Sequence, residues 1–467
     1  HVDNEIGCHV PRDYSDAAAA AFRSWLAARY RTVDALNEAW GTAFWSQRYS
    51  AFEDVLPPRS APTYANPTQQ LDFDRFSSDA LLGYYREIRD ALRVITPDVP
   101  ITTNFMMSSA TKGMDYIGWG PEVDVVANDH YTIASDEARH IELAFSADLS
   151  RGIAGGRPWM LMEHSTSAVN WQPRNRPKLP GEMLRNSLAH VARGADAVMF
   201  FQWRQSKAGA EKFHSSMLPH AGRDTDVWRS TVTLGETLKK IAPVVGSTVR
   251  SRAALLFDYE AWWASELDSH PTQQLRYTDE VLSTYTALWN RGVSTDVVHP
   301  SADLSGYDLV VVPTLYLVSD EDAANVAAAA ERGATVLVTY FSGIVDVNDH
   351  VRLGGYPGAF RELLGVSTEE FYTLQEGETV RLSGGGDALS GTFSADLWTE
   401  KTHLVGATAV ATFDEGPLAG LPAVTRADVG TSGGSAWYVG ARLDPSGIAA
   451  VVDAALADAR LTGEADV

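Results

Sequence analysis

In the first 245 residues, one short β-rich run after another ends in polar or aromatic side chains. Residues 101–105 end at Asn104 and Phe105. Residues 123–126 lead into Asp129-His130-Tyr131, residues 159–162 into Glu163-His164, and residues 197–201 into Gln202-Trp203-Arg204. Helical patterns separate these runs. Residues 16–28 carry Phe22, Trp25 and Leu26 on one face; residues 77–92 carry Leu81, Leu82, Tyr85, Ile88 and Leu92; residues 181–193 carry Met183, Leu184, Leu188 and Val191. Strands alternating with helices form parallel βαβ units. Polar strand ends on such units are the layout of a (β/α)8 TIM barrel, whose chemistry sits at the carboxyl ends of its strands. The opening residues, ending in Asn4-Glu5, read as one more strand end. That makes five where closure takes eight, and a five-stranded arc exposes two edges and half an apolar interior. Three N-terminal β/α units are therefore expected to be missing from the chain, as in a fragment, a truncated gene product or one part of a split protein.

The rest of the chain changes character twice. Residues 253–257, 309–313 and 335–338 are continuous apolar runs of the parallel, doubly buried type, and a helix is expected over 277–289. This predicts a small doubly wound α/β domain. Beyond about residue 376, Gly-rich turns flank alternating runs such as 407–413 and 436–439, which predicts a small antiparallel β domain closed by a helix over 448–459. The expected division is 1–248 for the later part of the barrel, 249–375 for the α/β domain and 376–467 for the β domain.

Charge and cysteine content narrow the chemistry. Sixty acidic residues against 38 basic ones give a net charge of -22. Such a surface repels phosphate backbones and anionic lipid, so no nucleic-acid or membrane partner is expected. The single cysteine, Cys8, excludes a disulfide within the chain and a thiolate zinc cluster. The sequence shows no apolar run of membrane length and no secretory pattern, so a cytoplasmic location is expected. No phosphate-binding loop, dinucleotide fingerprint, His-Glu-x-x-His or nucleophile elbow occurs.

Two acids stand out by position: Glu5, after Asn4, and Glu163, after Met162. Cleavage of a glycosidic bond with retention needs one carboxyl as acid/base and another as nucleophile, roughly 5 Å apart. Parallel strands of one barrel deliver that geometry from residues distant in sequence. The alternative is that each acid is a solvated loop residue. Trp171, beside Asn170 in a polar loop, is a platform for a sugar face or ordinary loop packing. Tyr131 either hydrogen-bonds the nucleophile or is a core aromatic. Glu211 and His214 either bind sugar hydroxyls or begin a surface helix.

Five segments carry a family resemblance: Asp3-Asn4-Glu5-Ile6-Gly7-Cys8-His9, Leu161-Met162-Glu163-His164-Ser165, Val169-Asn170-Trp171-Gln172-Pro173, Phe201-Gln202-Trp203-Arg204-Gln205-Ser206 and Gly209-Ala210-Glu211-Lys212-Phe213-His214-Ser215. Together they resemble glycoside hydrolase family 42, the β-galactosidases. The resemblance implies a (β/α)8 barrel followed by a flavodoxin-like α/β trimerisation domain and a small β domain. It implies a retaining exo-β-galactosidase acting on terminal galactose of oligosaccharides, with Glu5 as acid/base and Glu163 as nucleophile. Asn4 would meet the sugar 2-hydroxyl, and Tyr131, Trp171, Glu211 and His214 would line the galactose subsite. It further implies a homotrimer and no cofactor. Some members carry a zinc-binding cysteine cluster after the acid/base; the residues after Cys8 supply no further thiols, so no metal is expected. The missing N-terminal barrel segment would be a further partner. Two rival readings are an α-L-arabinopyranosidase and a catalytically impaired sugar-binding or assembly fragment.

Overall fold

The computed structural model describes residues 1–461. They form two compact units: residues 1–9, 81–111 and 116–250, and residues 10–80, 112–115 and from 251 onward.

The first unit holds four parallel strands, β1 (Asn104–Phe105), β2 (Ala127–Asp129), β3 (Trp159–Glu163) and β4 (Ala195–Val198), side by side in that order. The helices Arg139–Ile153 and Glu182–Ala192 lie between successive strands in sequence, as crossovers of a parallel sheet must. β2 begins later than its apolar run predicts. The reason is Asp124, whose carboxylate accepts the Ile101 N–H at 2.6 Å while its own N–H bonds the Ile101 carbonyl at 3.0 Å. That exchange ties down the approach, and the regular ladder starts at Ala127.

The opening residues do not form the fifth strand that was expected. Asp3 and Glu5 have φ of 51° and 47°, outside the extended region that a ladder requires. The segment still lies along β1. Val2 N–H bonds the Thr102 carbonyl at 2.8 Å, and Tyr84 donates to Asp3 at 2.8 Å.

In the second unit, the helices Asp16–Tyr30 and Val33–Ala39 and the start of the helix Pro67–Ile95 pack Phe22, Leu26, Leu36, Trp40, Phe73 and Phe76 into one aromatic cluster. Residues 10–80 belong to this second unit. The apolar face of Asp16–Tyr30 meets helix side chains, not a strand.

The remaining strands of this unit are β5 (Ala253–Leu256), β6 (Thr295–Val298), β7 (Leu309–Val312), β8 (Thr335–Thr339), β9 (Val366–Thr373), β10 (Thr379–Gly385), β11 (Ser390–Leu404), β12 (Thr408–Phe413), β13 (Pro422–Val429), β14 (Gly434–Val439) and β15 (Ala441–Leu443). β6, β5, β7 and β8 are parallel neighbours in that order, and every residue of β5, β7 and β8 is buried. The antiparallel strands expected after residue 376 are present, but they belong to the same 11-stranded sheet. The join is β14, which runs parallel to β8 with Ser435 opposite Thr335 and Val439 opposite Thr339. All six residues of β14 are buried, so this strand behaves as a central one and not as the half-exposed strand its alternation predicts. Gly434 permits the approach: a Cβ there would collide with the Ala330 carbonyl oxygen. Among the described residues, no helix is long and apolar enough to cross a membrane.

Candidate active site

The site grows from β1 and from the carboxyl ends of β2 and β3. Glu163 is the last residue of β3, and the register sets Asp129, the last residue of β2, directly opposite it. Asn104 opens β1 and acts as a hub. Its Oδ1 accepts the Glu5 backbone N–H at 2.9 Å, and its Nδ2 donates to Asn4 Oδ1 at 2.9 Å and to Asp129 Oδ2. His1 Nε2 also meets Asn104 Oδ1, at 2.8 Å. One buried amide therefore places the Asn4-Glu5 segment over the sheet.

The outcome is a cluster of three acids. One carboxylate oxygen each from Glu5, Asp129 and Glu163 lies within 4.8 Å of the others. Tyr131, two residues past the end of β2, donates its hydroxyl to Glu163 Oε2 at 2.6 Å. Glu5 Oε2 meets His9 Nε2 at 2.9 Å. Among the described residues, no lysine or arginine forms an ion pair with any of the three acids.

Electrostatics separates them. Burial, the Glu163 charge and the adjacent Glu5 carboxyl push Asp129 up to about 9, against the Asn104 hydrogen bond. Burial also raises Glu163, with the charges of Glu5 and Glu211 adding to it, while the Tyr131 hydroxyl opposes the rise. Burial holds Tyr131 as a neutral donor. Oxygens this close are also within reach of a bridging cation. Burial pushes the Cys8 thiol up to about 12, and its sulfur rests 3.4 Å from the Tyr116 hydroxyl.

The aromatic wall is shared. The Tyr131 ring stands edge-on to Trp171 at 5.6 Å and to His214 at 5.8 Å. Trp171 is 50% exposed. His214 is buried, its Nδ1 is held by the Ser215 carbonyl at 2.9 Å, and burial lowers its pKa, which keeps the ring neutral. Its Nε2 has no protein partner. Glu211 is exposed and sits in a turn, not at the start of a helix, and its charge reaches Glu163. The loops carrying Trp171 and His214 are stitched together by Asn170 Nδ2 to the Ala210 carbonyl at 2.7 Å and by Ser215 N–H to the Ala168 carbonyl at 2.9 Å.

The structure thus brings Glu5, Glu163, Tyr131, Trp171 and His214 to one place. Asn4 sits beside them on Asn104, and Glu211 stands at the exposed margin. Sequence reasoning noted Asn104 and Asp129 as strand ends but gave them no role. The available signal was a polar run, Asn128-Asp129-His130, inside a buried strand, where an unassigned acid demands a partner.

Comparison with known proteins agrees. The family model for glycoside hydrolase 42, described as β-galactosidase, matches residues 1–241, and the model for the β-galactosidase trimerisation domain matches residues 251–462. A β-galactosidase of Arthrobacter sp is 63% identical over 466 residues, covering 100% of this chain and 66% of that protein. The β-galactosidase bgaB of Geobacillus kaustophilus is 44% identical over 441 residues, covering 94% and 64%. The chain therefore spans just under two thirds of the length of these relatives. A solved β-galactosidase from Bacillus circulans sp. alkalophilus superposes with a TM-score of 0.94 at 34% identity, covering 99% of this chain and 69% of that one. The fold is that of the TIM-barrel and trimerisation domains of these proteins. The chain belongs to glycoside hydrolase family 42.

Proposed function

We propose that this chain carries the chemistry of a retaining exo-β-galactosidase. The observation that supports the reading most is the approach of the Glu5 and Glu163 carboxylate oxygens to within 4.8 Å from remote parts of the sequence. That spacing suits a double displacement and leaves no room for a water between nucleophile and substrate. Glu163 attacks the anomeric carbon as its bond to the leaving oxygen breaks, and Glu5 gives that oxygen its proton. The galactose is then an ester of Glu163. Glu5, now a carboxylate, takes a proton from water. The hydroxide oxygen bonds to the anomeric carbon, the ester bond breaks, and Glu163 regains its charge.

In this reading Tyr131 holds the attacking oxygen of Glu163. Asn4 meets the sugar 2-hydroxyl, Trp171 packs against the sugar face, and Glu211 and His214 bind the remaining hydroxyls. The reaction requires no metal or cofactor. The names of the relatives favour a β-galactoside over the stereochemically related α-L-arabinopyranoside. Proton NMR of early turnover, in the complete protein, tests this. The first galactose released is expected as the β anomer, and the aryl β-galactoside is expected to turn over faster than the arabinopyranoside. Release of the α anomer would exclude double displacement, and the reverse substrate order would change the substrate assignment.

We further propose that the boundary near residue 248 separates the catalytic part from the part that assembles, and that the protein is a homotrimer. The trimerisation-domain match over residues 251–462 supports this. Light scattering coupled to size exclusion is expected to give three times the subunit mass at micromolar concentration; a monomer mass would refute it.

A further inference from the structure

We propose that Asp129 is a positioning residue of this site: a neutral carboxylic acid whose O–H bonds the Glu5 carboxylate while Glu5 acts as base. The proposal rests on the roles given above to Glu5 and Glu163.

Geometry carries it. Asp129 is 2% exposed at the end of β2. Its Oδ2 takes the Asn104 amide, and no donor reaches its buried Oδ1. One of its oxygens lies within 4.8 Å of a Glu5 carboxylate oxygen, and the Glu5 carboxyl is among the groups that raise Asp129. Two such groups can bond only through a proton that one of them brings. Among the described residues, no lysine or arginine pairs with Asp129 to supply a positive charge in its place. Glu163 faces it from β3, Tyr131 from the end of its own strand, the neutral Cys8 thiol and Glu5 from the opening segment, and Asn104 from β1. His9 Nε2 meets Oε2 of Glu5, and His1 meets Asn104.

Counting protons completes the argument. Three like charges this close cannot all ionise. The nucleophile Glu163 needs its charge, and Glu5 needs a proton for its acid role. The most buried of the three, Asp129, is then the second proton carrier, in line with its upward displacement. Once the galactosyl ester forms, the charge of Glu163 is consumed and Glu5 is left as the anion. Asp129 donates its hydrogen bond to that anion and keeps its proton throughout the cycle.

The test uses the complete protein with Asp129→Asn, which preserves a neutral donor, and Asp129→Leu, which does not. With an aryl galactoside, the Asn variant is expected to retain kcat/KM within about fivefold and both limbs of its pH profile within about half a unit. The Leu variant is expected to lose about 10²-fold in kcat. A downward shift of both limbs by more than about one unit in the Asn variant, as loss of an ionised carboxylate would cause, overturns the proposal. So does a Leu variant equal to the Asn variant. A readout independent of turnover is the carbon-13 carboxyl signal of Asp129, assigned by its loss in the Asn variant. It is expected to be protonated at neutral pH and to titrate lower in Glu163→Gln; an ionised signal at neutral pH refutes the assignment. Failure of the glycosidase reading shows separately, as wild-type turnover by Glu163→Ala.

Discussion

Glu163→Ala, in the complete protein, is expected to lower kcat on an activated aryl galactoside by roughly 10⁴-fold or more, the scale seen when a nucleophile is removed. The reason lies in the atoms it removes: the Glu163 carboxylate includes the oxygen that Tyr131 orients, and one of its oxygens lies within 4.8 Å of a Glu5 oxygen. Without them no ester forms. Added azide fills the vacated space, attacks the anomeric carbon directly and gives a galactosyl azide of inverted configuration. Glu5→Ala should behave differently. Loss of a general acid/base costs roughly 10²–10⁴-fold. A good leaving group hides that cost in the first step but not in the second, where water must be deprotonated, so the ester should accumulate and be visible by mass spectrometry. Wild-type rates from both variants would remove the assignment altogether.

Tyr131→Phe is expected to lower kcat by roughly 10- to 100-fold and to move the acid limb of kcat/KM upward by about one to two pH units, the worth of a hydrogen bond to a charged group. The sign follows from the site. Glu163 must be ionised to attack, and burial already lifts its pKa above that of an ordinary glutamate. The 2.6 Å bond from the Tyr131 hydroxyl stabilises the carboxylate and opposes that rise. Removing the hydroxyl lets the pKa climb, so activity is lost at a higher pH as the solution is acidified. The same bond stabilises Glu163 as the leaving group of the second step, which is why kcat falls even at pH values well above the limb. A variant with lower kcat but an unmoved acid limb would assign Tyr131 to sugar packing instead, through its contacts with Trp171 and His214.

Much of this site was legible in the sequence because barrel chemistry gathers at strand ends. Glu163 and Tyr131 could be placed from their positions after apolar runs. The part that was not legible depends on relations between strands. Asp129 acquires a role only because the register sets it opposite Glu163, and Asn104 only because its amide spans Asn4, Glu5 and Asp129. Neither relation leaves a trace in local periodicity. The opening residues look extended by composition, yet φ near +50° at Asp3 and Glu5 turns them out of the ladder, a backbone choice imposed by tertiary bonds. In the second unit the helix Tyr277–Trp289 matched its expected span, since helix periodicity is local. The union of the antiparallel strands with the α/β sheet escaped notice because a strand buried on both faces and a half-exposed one differ by their neighbours, not by six residues of sequence.

The seam between β8 and β14 bears on how the polypeptide leaves the ribosome. Thr335 and Ser435 touch across a sequence separation of 100 residues. At ordinary elongation speeds the flank of β8 stays bare for roughly 5–20 s before its neighbour is synthesised. During that interval an apolar strand with free amide and carbonyl groups is a template for any passing chain. Nascent copies on one message would be especially exposed to such pairing, and slower translation past residue 339 should lower the soluble yield.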